Sequence, residues 1–134
     1  MGTLVRYMSR DIPEIGPEAT LKDACDRMKQ KKVSFILVVE RDRHVGILTE
    51  ADVARRAIPD GHDPNTVKVR TLMISFLITL DAGRSVEDAN ELMKEKRIRH
   101  LLITENGKVT GVLTMLGLLR YFYDVSRPNT KSNP

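Results

Sequence analysis

Apolar and polar positions follow two recognisable patterns along the chain. Apolar side chains recur at i, i+3, i+4 and i+7 in its first quarter, which predicts one buried face of a helix. The residues of this face are Leu21, Ala24, Cys25 and Met28. Residues 35–39 form a continuous apolar run rich in β-branched side chains, which is typical of a buried strand. A polar turn at 40–44, a strand at 45–49 and a short helix at 52–58 follow.

The same pattern occurs a second time, 65 residues further along. This shift aligns Met8 with Met73 and Gly46 with Gly111, and no gap is needed between residues 8 and 49. Further matches are Asp23-Ala24 with Asp88-Ala89, Met28-Lys29 with Met93-Lys94, and Leu48-Thr49 with Leu113-Thr114. Because the matches fall at equivalent turns, helix faces and strand ends, we infer two copies of one structural unit.

Local signals predict where several elements begin and turn. Thr20 with Asp23, and Ser85 with Asp88, have the spacing of helix capping boxes. Asn106-Gly107 lies between two apolar segments and predicts a tight hairpin turn. The second repeat therefore has the same order of helix, strand, strand and helix as the first.

These elements predict an α+β fold made of two repeats. The first repeat covers residues 1–58, a linker covers 59–68, the second repeat covers 69–125 and a flexible tail covers 126–134. The linker contains two prolines and one glycine, which interrupt helices and strands. The tail is polar and is expected to fray.

Composition narrows the class of protein. The chain has 134 residues, of which 41% are hydrophobic and 30% are charged, as in ordinary globular proteins. The longest mostly apolar stretch, residues 72–80, is too short to cross a bilayer, so we expect no membrane span. With Cys25 as the single cysteine, neither an intramolecular disulfide nor a cysteine-based zinc site can form, and we expect a cytoplasmic protein.

Charge and reactive side chains suggest neither nucleic-acid binding nor catalysis. The net charge of +4 is modest, and three Phe, three Tyr and no Trp leave few base-stacking platforms. Cys25 lies on the apolar helix face, where a small core residue is more common than a nucleophile. His44, His62 and His100 do not have metal-ligand spacing. We therefore expect no enzyme, no required cofactor and no metal site.

One segment combines a hydroxyl and a carboxylate at a helix start. In Gly46-Ile47-Leu48-Thr49-Glu50-Ala51-Asp52, Thr49 and Asp52 lie about one helical turn apart. A carboxylate in such a place can accept hydrogen bonds from a ribose diol, as in dinucleotide sites. The alternative is a capping pair, since caps prefer these same residues. The second copy keeps Thr114 but has Gly117 at the position of Asp52.

The two repeats resemble a tandem pair of cystathionine-β-synthase (CBS) domains, called a Bateman module. The resemblance covers residues 5–123 and rests on segments 12–24, 34–39 and 46–52 with their counterparts in the second half. It implies a βαββα fold for each repeat, with the two repeats packed through their sheets in pseudo-twofold symmetry.

The resemblance also implies an adenosine-containing ligand, such as AMP, ADP, ATP or S-adenosylmethionine, in a cleft between the repeats. Asp52 would contact the ribose, and Thr49 the phosphate side. The remaining residues that the resemblance assigns to this site are Ile47, Ile78, Arg99 and His100. A weaker, mirror-related cleft would use Pro13, Ser34, Val112 and Thr114, without a carboxylate.

The resulting hypothesis is a non-catalytic regulatory module that binds an adenosyl ligand. Bateman modules commonly dimerise through their helices, so the resemblance implies a homodimer. Apolar residues on more than one face of the helix at 116–125 agree with this expectation. A ligand-free dimerisation or protein-interaction module is the alternative, and nucleic-acid binding is a more distant one.

Overall fold

The computed structural model describes residues 3–127, so most of the predicted tail at 126–134 lies outside the described residues. The fold is α+β, as predicted. In chain order its elements are α1 (Leu4–Tyr7), β1 (Glu14–Ile15), α2 (Leu21–Lys31), β2 (Phe35–Glu40), β3 (Arg43–Thr49), α3 (Glu50–Asp52), a π-helical turn (Val53–Ala57), α4 (Val69–Leu72), β4 (Thr79–Asp81), α5 (Val86–Lys96), β5 (His100–Glu105), β6 (Lys108–Thr114) and α6 (Met115–Ser126).

Two three-stranded sheets repeat the same topology. In the order β1-β2-β3, β1 is parallel to β2 and β2 is antiparallel to β3. The order β4-β5-β6 repeats these directions, and each hairpin has a register shift at the same place, after Val38 and after Ile103. Corresponding helices and strands begin 65 residues apart, so the repeat seen in the sequence is a repeat of structure.

Both predicted capping boxes are confirmed. The Asp23 backbone N donates to the Thr20 hydroxyl at 3.2 Å, and the equivalent distance between Asp88 and Ser85 is 2.9 Å. Each helix then ends at a basic residue whose backbone adopts the left-handed conformation. In the first repeat this residue is Lys32, with a φ of 57°. The two long helices are therefore started and stopped by the same local devices.

The two hairpin turns use different residues for one conformation. Asn106 and Gly107 have φ of 54° and 78°, which confirms the predicted turn. At the equivalent place in the first repeat, Arg41 and Asp42 have φ of 53° and 63°. Gly, Asn and Asp adopt this region more readily than other residues, so Arg41 makes the first turn the more strained of the two.

The chain forms two compact units that do not coincide with the two repeats. The first unit is Ile12–Leu77, and the second unit combines residues 3–11 with residues 78–127. The segment that leads each repeat, here called its lead segment (residues 3–11 and 69–77), is thus packed in the unit built from the other repeat. Residues 69–77, predicted as the start of the second repeat, belong structurally with the first.

Each lead segment packs over a glycine of the sheet that receives it. A Cβ built on Gly46 would lie 2.6 Å from the sulfur of Met73, and one built on Gly111 would overlap the sulfur of Met8. Beyond the methionine, Ile74 bridges to Ile47 in the first unit and Ser9 bridges to Val112 in the second. Glycine is therefore favoured at 46 and 111, because a larger residue would have to displace a methionine side chain.

Each unit has its own hydrophobic core. The core of the first unit contains Ile36, Val38, Leu48 and residues of α2 and α4, and that of the second contains their counterparts with Leu4 and Leu118. The predicted linker, residues 59–68, is tied to the start of α2, because Leu21 N donates to Val67 O at 2.9 Å. Within residues 3–127, no helix is both long enough and apolar enough to cross a membrane.

Candidate functional site

Two of the predicted ligand residues, Thr49 and Asp52, lie where β3 passes into α3. The Thr49 backbone N donates to Asp52 Oδ2 at 2.9 Å, and the Thr49 hydroxyl donates to the same oxygen at 3.0 Å. In return, Asp52 N donates to Thr49 Oγ1 at 3.3 Å. The capping interpretation of this pair is confirmed, and contact with a ligand stays a prediction.

The second oxygen of Asp52 faces Arg56. Arg56 Nη2 lies 3.3 Å from Asp52 Oδ1, and the same nitrogen donates to the carbonyl oxygen of Leu72. The Asp52 side chain is 17% exposed and that of Arg56 is 39% exposed. Arg56 was not among the residues predicted for the site, although an acid and a base at i and i+4 on a helix indicate an ion pair.

Ile47, the third predicted residue of this segment, lies in β3 beside the lead segment of the second repeat. Its backbone N donates to Ile74 O at 2.9 Å and its carbonyl accepts from Ile74 N at 2.8 Å. The side chain of Ile47 is half-buried. Ile47, Thr49 and Asp52 therefore lie together at the end of β3 in the first unit.

The other three residues of the predicted site lie in the second unit. The carbonyl of Ile78 accepts from Leu102 N at 3.3 Å, and that of Arg99 accepts from Met115 N at 3.0 Å. His100 lies opposite Thr114 in the β5–β6 pair. The six residues thus form two groups of three, one in each unit.

The weaker predicted set is divided in the same way. In the first unit, Pro13 O accepts from Leu37 N at 2.9 Å and Ser34 O accepts from Glu50 N at 3.0 Å. In the second unit, Val112 is completely buried. Thr114 caps α6, since its hydroxyl accepts from Gly117 N at 3.2 Å.

The position equivalent to Asp52 cannot hold a carboxylate in the second unit. Gly117 lies against the backbone of α1, and a Cβ built on it would overlap the carbonyl oxygen of Tyr7. The same Cβ would also approach a methyl carbon of Leu113 to 3.3 Å. Any side chain at 117 must therefore displace backbone, so the absence of an acid there has a steric cause.

The other candidate reactive side chains are Cys25 and the potential metal ligands. Burial raises the pKa of the Cys25 thiol and disfavours its nucleophilic thiolate. Among residues 3–127, no three His, Cys, Asp or Glu side chains are grouped so that they could hold a metal ion. The Thr49–Asp52–Arg56 cluster is the polar cluster that contains predicted ligand residues.

A family model for the CBS domain matches the chain twice, at residues 4–58 and 69–124. The chain belongs to the CBS domain family. Both matches begin at the lead segment of a repeat, so the family unit corresponds to a sequence repeat rather than to a compact unit of the fold. The resemblance inferred from the residues is confirmed.

Relatives and solved structures agree with this assignment. The CBS domain-containing protein YhcV of Bacillus subtilis is 31% identical over 86% of this chain and 81% of its own length. A putative signal-transduction protein with CBS domains from Burkholderia ambifaria superposes with a TM-score of 0.84 at 26% identity, covering 89% of this chain and 88% of that one. A hexameric CBS-CP12 protein from bloom-forming cyanobacteria superposes with a TM-score of 0.80 at 28% identity, covering 92% and 73%.

The relatives differ in length. This CBS pair spans 58% of the first curated relative that it matches, and 81% and 85% of the next two. The tandem CBS module is thus the part that all of them share with this chain.

Proposed function

We propose that this CBS pair is a non-catalytic regulatory module that binds an adenosine-containing ligand, with Asp52 holding the ribose hydroxyls. The observation that supports the proposal most is the state of the Asp52 carboxylate. It is largely buried yet still reachable from solvent, and Thr49 and Arg56 fix its orientation. A preoriented carboxylate binds a diol without first ordering a flexible side chain.

The acceptor capacity of Asp52 is compatible with both roles. A carboxylate has about four acceptor positions, two on each oxygen. The Thr49 cap uses both positions on Oδ2, whereas Oδ1 forms an ion pair with Arg56 at 3.3 Å. The hydrogen bonds described for Asp52 thus leave the positions on Oδ1 for the ribose hydroxyls.

The capping aspartate of α5, Asp88, makes a useful contrast. Asp88 accepts from Ser85 N at 3.4 Å and from Arg84 Nε at 3.0 Å, so it has the same kinds of partner as Asp52. Its side chain is 44% exposed, against 17% for Asp52. Asp52 is thus the more sheltered carboxylate, and Gly117 leaves the second repeat without an equivalent. We expect one ligand for each chain.

Calorimetric titration with AMP, ATP and S-adenosylmethionine tests this function. We expect Asp52→Asn to weaken binding at least about tenfold, because a hydrogen bond to a charged group contributes about 1.5–3 kcal/mol. Asp88→Asn is the matched control, since it removes the same kind of cap and leaves the proposed site intact. Thr114→Ala should change binding much less than Asp52→Asn. Equal losses in Asp52→Asn and Asp88→Asn, or no binding by the wild type, would contradict the proposal.

A ligand at this site would act by shifting an equilibrium between conformations or assemblies. It can do so only as far as it binds one state more tightly than the other. Regulation therefore needs a ligand affinity that differs between two states, and no chemical step. The non-catalytic character common to CBS-domain proteins supports this mechanism.

We also propose self-association through the outer face of α6. Its inner face packs Leu118, Tyr121 and Phe122 into or against the second core. Its outer face exposes three large apolar residues, namely Leu116, Leu119 and Tyr123. Exposed apolar patches of this kind mark association surfaces, and the hexameric cyanobacterial neighbour supports a second copy of this chain as the occupant.

Sedimentation analysis distinguishes this assembly from a monomer. We expect the wild type to sediment as a dimer or larger species and Leu119→Lys to shift it to monomer. Ile58→Lys is the matched control, because Ile58 is similarly exposed but lies in the first unit. A monomeric wild type, or dissociation by both variants alike, would contradict the role of α6.

A further inference from the structure

Arg56 has an unusual set of contacts for a surface arginine. Within residues 3–127 it contacts Asp52 Oδ1 and the carbonyl oxygen of Leu72, and both contacts are made by the same nitrogen, Nη2. A guanidinium has five N–H groups, so Nε–H and the two N–H groups of Nη1 remain for another acceptor. The side chain is neither fully exposed nor covered, with 39% of its surface in solvent. Arg56 is thus held in place while most of its donors stay available.

We propose that Arg56 sets the charge of the ligand that the Asp52 site accepts. It selects an anionic, phosphorylated adenosine derivative over the neutral nucleoside and over the cationic S-adenosylmethionine. This inference rests on the proposed function, because it assumes that a ribose binds at Asp52. Its physical basis is the fixed position of a guanidinium beside the carboxylate.

Asp52 alone would disfavour a nucleotide. A half-buried carboxylate repels a phosphate that lies one sugar ring away, and partial burial reduces the screening of that repulsion. Arg56, 3.3 Å from the carboxylate, offsets its charge and presents donors that match phosphate oxygens. The same cation gives no advantage to adenosine and repels a sulfonium ligand.

The Leu72 carbonyl explains why Arg56 does not simply turn away from Asp52. This carbonyl belongs to α4, and its hydrogen bond from Nη2 anchors the guanidinium independently of the carboxylate. A ligand can therefore bind Asp52 while Arg56 stays where it is. Arg55, the neighbouring cation of the same turn, is exposed and so provides a matched control.

The second repeat has neither charge of this pair. Gly117 stands at the position of Asp52, and Tyr121 at that of Arg56. The Tyr121 hydroxyl donates to Glu87 at 2.6 Å, and its ring packs edge-on against Tyr7 at 5.4 Å. The acid and the base are thus present together in one repeat and absent together in the other, which agrees with a joint role.

Titrations of AMP, adenosine and S-adenosylmethionine into wild type, Arg56→Gln and Arg55→Gln test the inference. We expect the wild type to bind AMP at least about tenfold more tightly than adenosine. Arg56→Gln should lose that preference by weakening AMP about tenfold or more while changing adenosine less than about threefold, and it should bind S-adenosylmethionine no worse. Arg55→Gln removes the same charge from the same turn and should leave the AMP preference unchanged.

Each other outcome has a separate meaning. If Arg56→Gln weakens AMP and adenosine equally, Arg56 only positions Asp52 and the charge selection is overturned. If the wild type binds AMP and adenosine equally well, the inference fails and the proposed function stands. If the wild type binds neither, the proposed function itself fails. Should Arg56→Gln not fold, Arg56→Lys keeps the charge and must keep an AMP preference, and its loss would overturn the inference.

Discussion

The helices that follow the two hairpins begin alike and then diverge. In the second unit, α6 runs for twelve residues without interruption from Met115 to Ser126. In the first unit, α3 has three residues and continues as a π-helical turn of five. Both start from a capping threonine, so the difference arises from the residues after the cap. The same backbone element thus packs closely against α1 in the second repeat and holds a cluster of polar side chains in the first.

The third residue after the cap decides between the two outcomes. Gly117 lets the helix lie directly against the carbonyl of Tyr7. In the first unit the equivalent carbonyl, that of Leu72, is met by the guanidinium of Arg56, which also reaches Asp52. An ion pair thus fills the place that close backbone packing fills in the other repeat. A π-helical turn beside such a cluster is common at functional sites.

The largest expected effect comes from placing the acid in the wrong repeat. Gly117→Asp must move α1 or α6, so we expect a loss of about 3 kcal/mol or more in the free energy of unfolding. The reciprocal Asp52→Gly removes a cap and adds a flexible residue, which costs about 1–2 kcal/mol. Thermal and urea denaturation of both variants measure the asymmetry. Similar losses would mean that Gly117 is not sterically required.

Replacing either sheet glycine by alanine should reduce the free energy of unfolding by the same amount in the two units. Gly46→Ala and Gly111→Ala each force a methionine side chain aside, so we expect about 1–3 kcal/mol of destabilisation for each. Because the obstacle to Gly46→Ala is the Met73 side chain, adding Met73→Ala should recover part of the loss. A double-mutant cycle by urea denaturation measures that coupling. Strictly additive losses would contradict the contact.

Substitutions in the two hairpin turns should change the free energy of unfolding by a smaller amount. Replacing Arg41-Asp42 by Asn-Gly removes one disfavoured left-handed residue, Arg41, and places Gly at the second position, so we expect about 1 kcal/mol of stabilisation. Placing Arg-Asp at Asn106-Gly107 should destabilise by a similar amount. The two variants are controls for each other in one set of melting curves. A change of the same sign in both would contradict the turn argument.

The smallest effect concerns acid stability in the second unit. The Arg10 guanidinium, followed by the Thr110 hydroxyl, lowers the pKa of the Glu105 carboxyl. A pKa that is lower in the folded state stabilises the fold above the unfolded pKa, and that contribution is lost as pH falls through the folded pKa. We expect Glu105→Gln and Arg10→Gln each to flatten the decline of Tm below about pH 4. An unchanged decline in both variants would contradict a role for this ion pair.

Local features of the fold could be predicted from the sequence, because their causes are local. The repeat, the capping boxes and the Asn106-Gly107 turn depend on residues within a few positions of one another. The packing of residues 3–11 in the second unit could not be predicted, since it depends on contacts with residues about a hundred positions away. The family resemblance identified the repeating unit correctly, but it did not show into which compact unit each lead segment packs.

The candidate site was predictable only in part for the same reason. Thr49 and Asp52 are three residues apart, and their spacing alone predicts the cap that the structure contains. Arg56 acquires its role from the carbonyl of Leu72, which belongs to another helix. Gly117 was noticed as a missing carboxylate, but the carbonyl of Tyr7 that excludes a side chain there is visible only in the structure.

The connectivity of the two units also sets an order of events during synthesis. The first unit is one continuous stretch, Ile12–Leu77, and has all its residues once position 77 has left the ribosome. In the second, the Tyr7 hydroxyl bonds to Asp124, 117 positions later in the chain. Because synthesis proceeds at about 5–20 residues per second, the residues that pack against α1 are made several seconds after the first unit is complete. Residues 3–11 are thus synthesised before the first unit but can complete their packing only after it, and until then the apolar side chains of α1 lack the core that buries them.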